Sequence, residues 1–130
     1  MAEKSVRWFQ KYLSHVKGPD AGKPIVLGPW QAEYLGALYG WRVVNREEIR
    51  RYRRGLLEVA RGNGKSTLAS AVGLKSLIGD GKAAPLVIGA ATDREAAGIV
   101  FGDAAAMVRA NPRLAERLKV IDSTKRILRK

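Results

Sequence analysis

The sequence contains no cysteine and a single histidine, His15. Without cysteine there is no disulfide, no thiolate-bound zinc and no thiol nucleophile, which fits a reducing compartment. With one histidine there is no imidazole cluster for a metal and no Ser-His triad. Acidic residues are scarce as well: 12 Asp and Glu face 24 Lys and Arg, a formal net charge of +12. No apolar run approaches the roughly 20 residues of a membrane-spanning helix. No apolar segment follows the first charges, as a secretory signal would require.

What is present describes a folded chain. Its 130 residues are 46% apolar and 28% charged, enough for one domain with a buried core. The positive excess suits a polyanion such as DNA or RNA, and equally a solvated basic face. It concentrates in two places. Arg46, Arg50, Arg51, Arg53 and Arg54 form one group, and the residues from Arg109 to Lys130 form the other.

The stretch with the clearest chemistry is Gly62-Asn63-Gly64-Lys65-Ser66-Thr67, directly after the apolar run Leu56-Leu57-Glu58-Val59-Ala60. A glycine-rich turn that leaves a strand and enters a helix through Gly-Lys-Ser gathers backbone N–H groups around one small volume. That volume holds phosphate. Lys65 can reach the β- and γ-phosphates of a nucleotide, and the Ser66 hydroxyl can ligand Mg²⁺. The pattern G-x-x-x-x-G-K-[ST] is incomplete, because Val59 stands where its first glycine belongs.

Along the chain, residues 4–17 read as a helix with Phe9, Tyr12, Leu13 and Val16 on one face. Glycines and prolines make 18–29 a connector. Pro29 suits the first turn of a second helix running to about Leu38. Asn45 is placed to cap a short charged helix through Tyr52. Residues 55–60 read as a strand, 65–78 as a helix ended by Gly79-Asp80-Gly81, and 85–91 as a second buried strand. Thr92 or Asp93 caps a third long helix that Asn111-Pro112 breaks. A short helix follows to about Leu118, and the last residues form a strand pair or a fraying tail. Strand, loop, helix, strand, helix is the start of a parallel α/β sheet.

Three segments together resemble the N-terminal part of the ATPase domain of the large terminase subunit of tailed bacteriophages. The first is Leu27-Gly28-Pro29-Trp30-Gln31 with Leu38-Tyr39-Gly40-Trp41. The second is the loop with its basic residue, Val59-Ala60-Arg61-Gly62-Asn63-Gly64-Lys65-Ser66-Thr67. The third is Ala90-Ala91-Thr92-Asp93-Arg94-Glu95-Ala96-Ala97-Gly98-Ile99-Val100-Phe101. The resemblance implies a three-layer, RecA-like P-loop sheet flanked by helices. Residues 1–54 would be an N-terminal helical segment with the adenine-side motif, and 55–130 the first part of the ATPase core. It implies ATP and Mg²⁺ as cofactors, with Arg61 and Lys65 catalytic and Ser66 on the metal. Gln31 would read the adenine and Trp30 would lie near it. Gly62, Asn63, Gly64, Lys65, Ser66 and Thr67 would hold the phosphates. Double-stranded DNA, a small terminase subunit, a portal and a homo-oligomeric ring follow as implied partners, and the host cytoplasm as the implied location.

The chain departs from that pattern in two ways. Ala96 stands where a glutamine is common, and no Asp-Glu pair follows an apolar strand to hold Mg²⁺ and orient water. The acidic cluster of a nuclease domain is missing too. The expectation is therefore a truncated portion that binds nucleotide weakly and turns it over negligibly. Two other readings remain: a different nucleic-acid-stimulated P-loop ATPase of helicase type, and a basic, non-enzymatic DNA-binding module.

Overall fold

A computed structural model describes residues 2–130. Helix α1 (Ala2–Tyr12) buries Phe9 and stops earlier than its periodicity predicts. The chain there reverses into a strap over residues 13–28. Ile25 N–H donates to Leu13 O at 3.0 Å, His15 N–H to Lys23 O at 2.9 Å and Gly22 N–H to His15 O at 2.8 Å. Gly18 and Gly22, at φ of 78° and 86°, make the reversal possible.

Helix α2 (Pro29–Gly40) opens on proline, and the Gln31 carboxamide oxygen accepts from Gly28 N–H at 2.9 Å. It buries Leu35 and Tyr39 and lies so close to α1 that a Cβ on Gly40 would stand 2.6 Å from that of Ala2. Strands β1 (Arg42–Val43) and β2 (Arg46–Arg50) then form an antiparallel hairpin. This corrects the charged helix predicted from Asn45. Asn45 sits at φ 61° in the hairpin turn, a left-handed position that asparagine tolerates, and so begins a reversal instead of capping a helix.

Helix α3 (Lys65–Leu74) continues through a π-helical turn, Lys75–Gly79, which together match the predicted helix. Helix α4 (Arg94–Ala110) is capped by Asp93, whose Oδ1 accepts from Ala96 N–H at 2.7 Å. Helix α5 (Pro112–Arg117) follows the break at Asn111-Pro112. Strands β3 (Leu118–Ile121) and β4 (Arg126–Arg129) pair antiparallel, which settles the tail as a strand pair. Asp93→Ala is expected to lower stability by about 1 kcal/mol, the usual worth of an N-cap, read as a shift in urea midpoint.

The chain is thus a mixed α/β structure, but the sheets among the described residues are these two antiparallel hairpins. Neither segment 55–60 nor 85–91 is a strand. The apolar character predicted to bury them is there, yet among the described residues no neighbouring strand supplies a hydrogen-bonding ladder. Leu56, Leu86 and Ile88 are accordingly 87%, 82% and 77% exposed.

One core cluster joins Phe9 and Leu13 to Leu35 and Tyr39, to Leu68, Ala71 and Leu74, and to Met107, Val108, Leu114 and Leu118. Buried polar groups tie its helices together. The Ser70 hydroxyl lies 2.8 Å from both Ser66 O and Val100 O, linking α3 to α4. Lys17 Nζ stands 3.0 Å from both carboxylate oxygens of buried Asp103, and Asn111 Nδ2 donates to Tyr12 O at 2.8 Å.

Burial raises the Tyr39 phenol above its ordinary 10.0, opposed by its Ser76 hydrogen bond and by Arg50 and reinforced by Asp80. Well below pH 10 the phenol is neutral in folded and unfolded chains alike. As pH rises further the unfolded chain ionises first, so stability falls through the folded value. An ultraviolet titration should show one of the four tyrosines ionising late, a step that Tyr39→Phe removes. Absence of a late step that depends on Tyr39 would contradict this environment.

Candidate functional site

The apolar segment ends at Ala60, and Arg61-Gly62-Asn63 turns into α3. Gly62 and Gly64 lie at φ of 88° and 74°, and nothing stands within 4 Å of a Cβ built on either. Conformation, then, is what asks for glycine at both positions. Gly64 is the N-cap residue of α3 and has no side chain with which to cap it. The first helical bond runs from Leu68 N–H to Gly64 O at 2.9 Å. The N–H groups of Lys65, Ser66 and Thr67 therefore have no helical acceptor, and they sit at the positive end of the helix dipole. That is the backbone of an anion site.

The side chains close the loop on itself. Lys65 Nζ donates to Val59 O at 2.6 Å, and Asn63 Nδ2 donates to Ala60 O at 3.0 Å. Val59 thus uses its carbonyl where the usual loop has its first glycine. Arg61 is exposed and, among the described residues, forms no ion pair. Ser66 is half-buried at the helix start.

Beside this loop lies a cavity of about 130 Å³. The strap lines it with His15, Ile25, Val26 and Leu27, α2 with Gln31, and the loop and α3 with Gly64, Thr67, Leu68 and Ala71. Gln31 is brought to the phosphate loop although it belongs to another helix. Its oxygen keeps a second lone pair beyond the Gly28 bond, and its amide keeps two donors. It can offer both to the edge of a purine. The aliphatic side chains on the strap and on α3 suit the faces of a flat ring.

Of the residues singled out from sequence, Gln31, Gly64 and Thr67 line the cavity. Gly62, Asn63, Lys65 and Ser66 belong to the adjoining loop. Trp30 is not in the lining and is 39% exposed, so the structure does not bring it to this cavity. Leu27 stands in the adenine-side segment quoted from sequence and also lines the cavity, whereas sequence reasoning missed His15, Ile25 and Val26. It extended α1 through His15, and the signal that could have found Ile25 and Val26 is their place immediately before Leu27-Gly28 and Gln31, in a connector fixed by Gly18 and Gly22.

For a metal, the described residues offer no group of three or more His, Cys, Asp or Glu side chains. Asp93 is committed to the cap of α4. The Ser66 hydroxyl, at the start of α3, is an oxygen that can ligand a cation. A second, more open groove of about 510 Å³ lies between the start of α4 and the β3–β4 turn, lined by Arg94, Glu95, Gly98, Ile99 and Lys125. It contains none of the loop residues.

Comparison with known proteins identifies the family. The family model described as "Terminase large subunit, ATPase domain" matches residues 29–129. The chain is 28% identical over 127 residues to the terminase large subunit of Enterobacteria phage HK97, covering 97% of this chain and 24% of that protein. It is similar to the crystal structure of the HK97 large terminase with a TM-score of 0.74 and 26% identity, over 98% of this chain and 24% of that one. The chain thus spans about a quarter of the length of these relatives, and it belongs to the family of terminase large subunit ATPase domains.

Proposed function

We propose that this chain is the nucleotide-binding N-terminal portion of a DNA-packaging motor ATPase, with ATP and Mg²⁺ as its ligands. The observation that supports it is the cavity joining Gln31 to the loop Gly62–Thr67 at the start of α3. Gln31 reads the adenine edge by donating and accepting at once. The backbone N–H groups of the loop and of the first turn hold the phosphates. Lys65 exchanges Val59 O for the β- and γ-phosphates, and Thr67 lies toward the α-phosphate. Arg61, at the tip of the loop, is free to stabilise charge that develops during transfer. Ser66 would be the residue that holds Mg²⁺, and the metal would supply neutralisation of phosphate charge. Trp30 takes no part in these contacts.

Hydrolysis also needs an acid to hold the metal through water and a carboxylate to orient the attacking water. The described residues place no such pair at the loop. We infer that this chain binds nucleotide and turns it over negligibly by itself. Segments 55–60 and 85–91, apolar and without a ladder, are suited to a RecA-like parallel sheet once further strands lie beside them. The division into a helical segment, 1–54, and an ATPase core, 55–130, belongs to the same proposal.

Double-stranded DNA is the proposed polyanion. The β1–β2 hairpin and the residues after it present Arg46, Arg51, Arg53 and Arg54 to solvent. Arg50 is drawn off by Asp80 at 3.9 Å and lies over the Tyr39 ring. At the other basic group, Arg129 and Lys130 donate to backbone carbonyls of Lys82 and Ala115 and are less free. A ring assembly with a small terminase subunit and a portal, at work in the host cell, completes the proposal by family membership. No helix among the described residues is long and apolar enough to cross a membrane. The helicase-like and non-enzymatic readings gain nothing from the comparisons.

The test is calorimetric titration with Mg²⁺-ATP, with turnover followed in the same samples. Saturable binding at one site per chain without measurable turnover is the expected result. Absence of ATP binding would contradict the proposal.

A further inference from the structure

The cavity beside the phosphate loop has one aromatic ring in its lining, and it is the only histidine of the chain. We infer that His15 is a base-contacting residue, whose imidazole packs against the nucleobase and makes binding depend on the base as well as on the phosphates. This inference rests on the nucleotide reading of the cavity.

Three observations carry it. The backbone of His15 is already committed, its N–H to Lys23 O at 2.9 Å and its carbonyl to Gly22 N–H at 2.8 Å. The polar group it has left to offer the cavity is its side chain. The rest of the strap's contribution is aliphatic, from Ile25, Val26 and Leu27, so the imidazole is the strap's one flat polarizable surface. The strap is also anchored at both sides of His15. Asn111 Nδ2 donates to Tyr12 O at 2.8 Å, and Lys17 Nζ stands 3.0 Å from both oxygens of buried Asp103. A strap held this way has its backbone placed before the ligand arrives, and less ordering remains to oppose binding. Gln31 would meet the base edge while His15 meets its face, a division of labour that a purine can satisfy in full.

The test uses ATP and inorganic tripolyphosphate as paired probes with Mg²⁺ on the whole chain. His15→Ala is expected to weaken ATP about tenfold, within the range that stacking one base on one aromatic ring is worth. Tripolyphosphate should change less than twofold. His15→Phe, which keeps a flat ring, should return ATP affinity to within about threefold of the parent. Equal weakening of both probes would mean that His15 only shapes the strap, and would overturn the inference. So would an unchanged ATP affinity, or failure of the phenylalanine to rescue. If His15→Ala does not fold, nuclear Overhauser effects between the adenine protons and the imidazole of the parent chain decide the matter: their presence supports contact and their absence overturns it. The Lys65→Ala chain separates the two layers. ATP binding that ignores Lys65 sinks the nucleotide reading, whereas Lys65-dependent binding that ignores His15 sinks this inference alone.

Discussion

Lys65→Ala is expected to weaken Mg²⁺-ATP binding by about 10- to 100-fold. A hydrogen bond to a charged group is worth about 1.5–3 kcal/mol, which is this range of affinity. The lysine is the side-chain cation rooted at the first position of α3, where the helix dipole and three N–H groups without helical acceptors already favour an anion. In the ligand-free arrangement its ammonium is parked on Val59 O at 2.6 Å. That bond is exposed, so its loss should change folding stability by less than about 1 kcal/mol. Calorimetry together with a urea unfolding curve separates the two effects. A large loss of affinity at unchanged stability is expected. Unchanged affinity would contradict the assignment of this loop to phosphate.

Asp80→Ala is expected to destabilise the fold by about 3 kcal/mol, the low end for removing one partner of a buried ion pair. Lys75 is a buried cation at 3% exposure, on the π-helical turn that continues α3. Its ammonium lies 3.3 Å from Asp80 Oδ1, 4.9 Å from the Tyr39 ring centre and 5.5 Å from that of Trp8. Arg50 approaches the other carboxylate oxygen at 3.9 Å. Without Asp80, two cations remain near the Tyr39 ring with only aromatic groups to stabilise them. Lys75→Met removes the charge together with its need for a partner and keeps the apolar stem. It should therefore destabilise by less than half as much. Urea midpoints for the two variants measure the contrast. An Asp80→Ala change within about 0.5 kcal/mol, as for an exposed pair, would show that the cluster does not hold the core.

The helices were legible because their signals are local. Pro29 marks the start of α2, Asp93 caps α4 and Asn111-Pro112 ends it, and each of these works within a few residues. The phosphate loop was legible for the same reason, since its glycines, lysine and serine lie side by side. Strands were not, because a strand exists only with a partner. Residues 55–60 and 85–91 have the composition of buried strands, but the described residues give them no ladder. The β1–β2 hairpin was misread because Asn45 carries two signals, helix cap and left-handed turn, and the pairing of Arg42 with Arg50 across the turn decided between them. Part of the cavity was hidden for a related reason. His15 joins Leu68 and Ala71 of α3 in one cavity only because the strap doubles back, and helical periodicity through residue 16 pointed the other way.

The central claim is that one nucleotide spans the cavity and the loop. Its most direct measurement is the mapping of backbone amide resonances during titration with Mg²⁺-ATP. The largest shifts are expected at Gly62, Gly64, Lys65, Ser66 and Thr67, with a second group at His15, Leu27 and Gln31. Tripolyphosphate should reproduce the first group and leave the second nearly still. Shifts confined to the open groove at Arg94 and Lys125, or spread evenly over the basic surface, would contradict a nucleotide site at the start of α3.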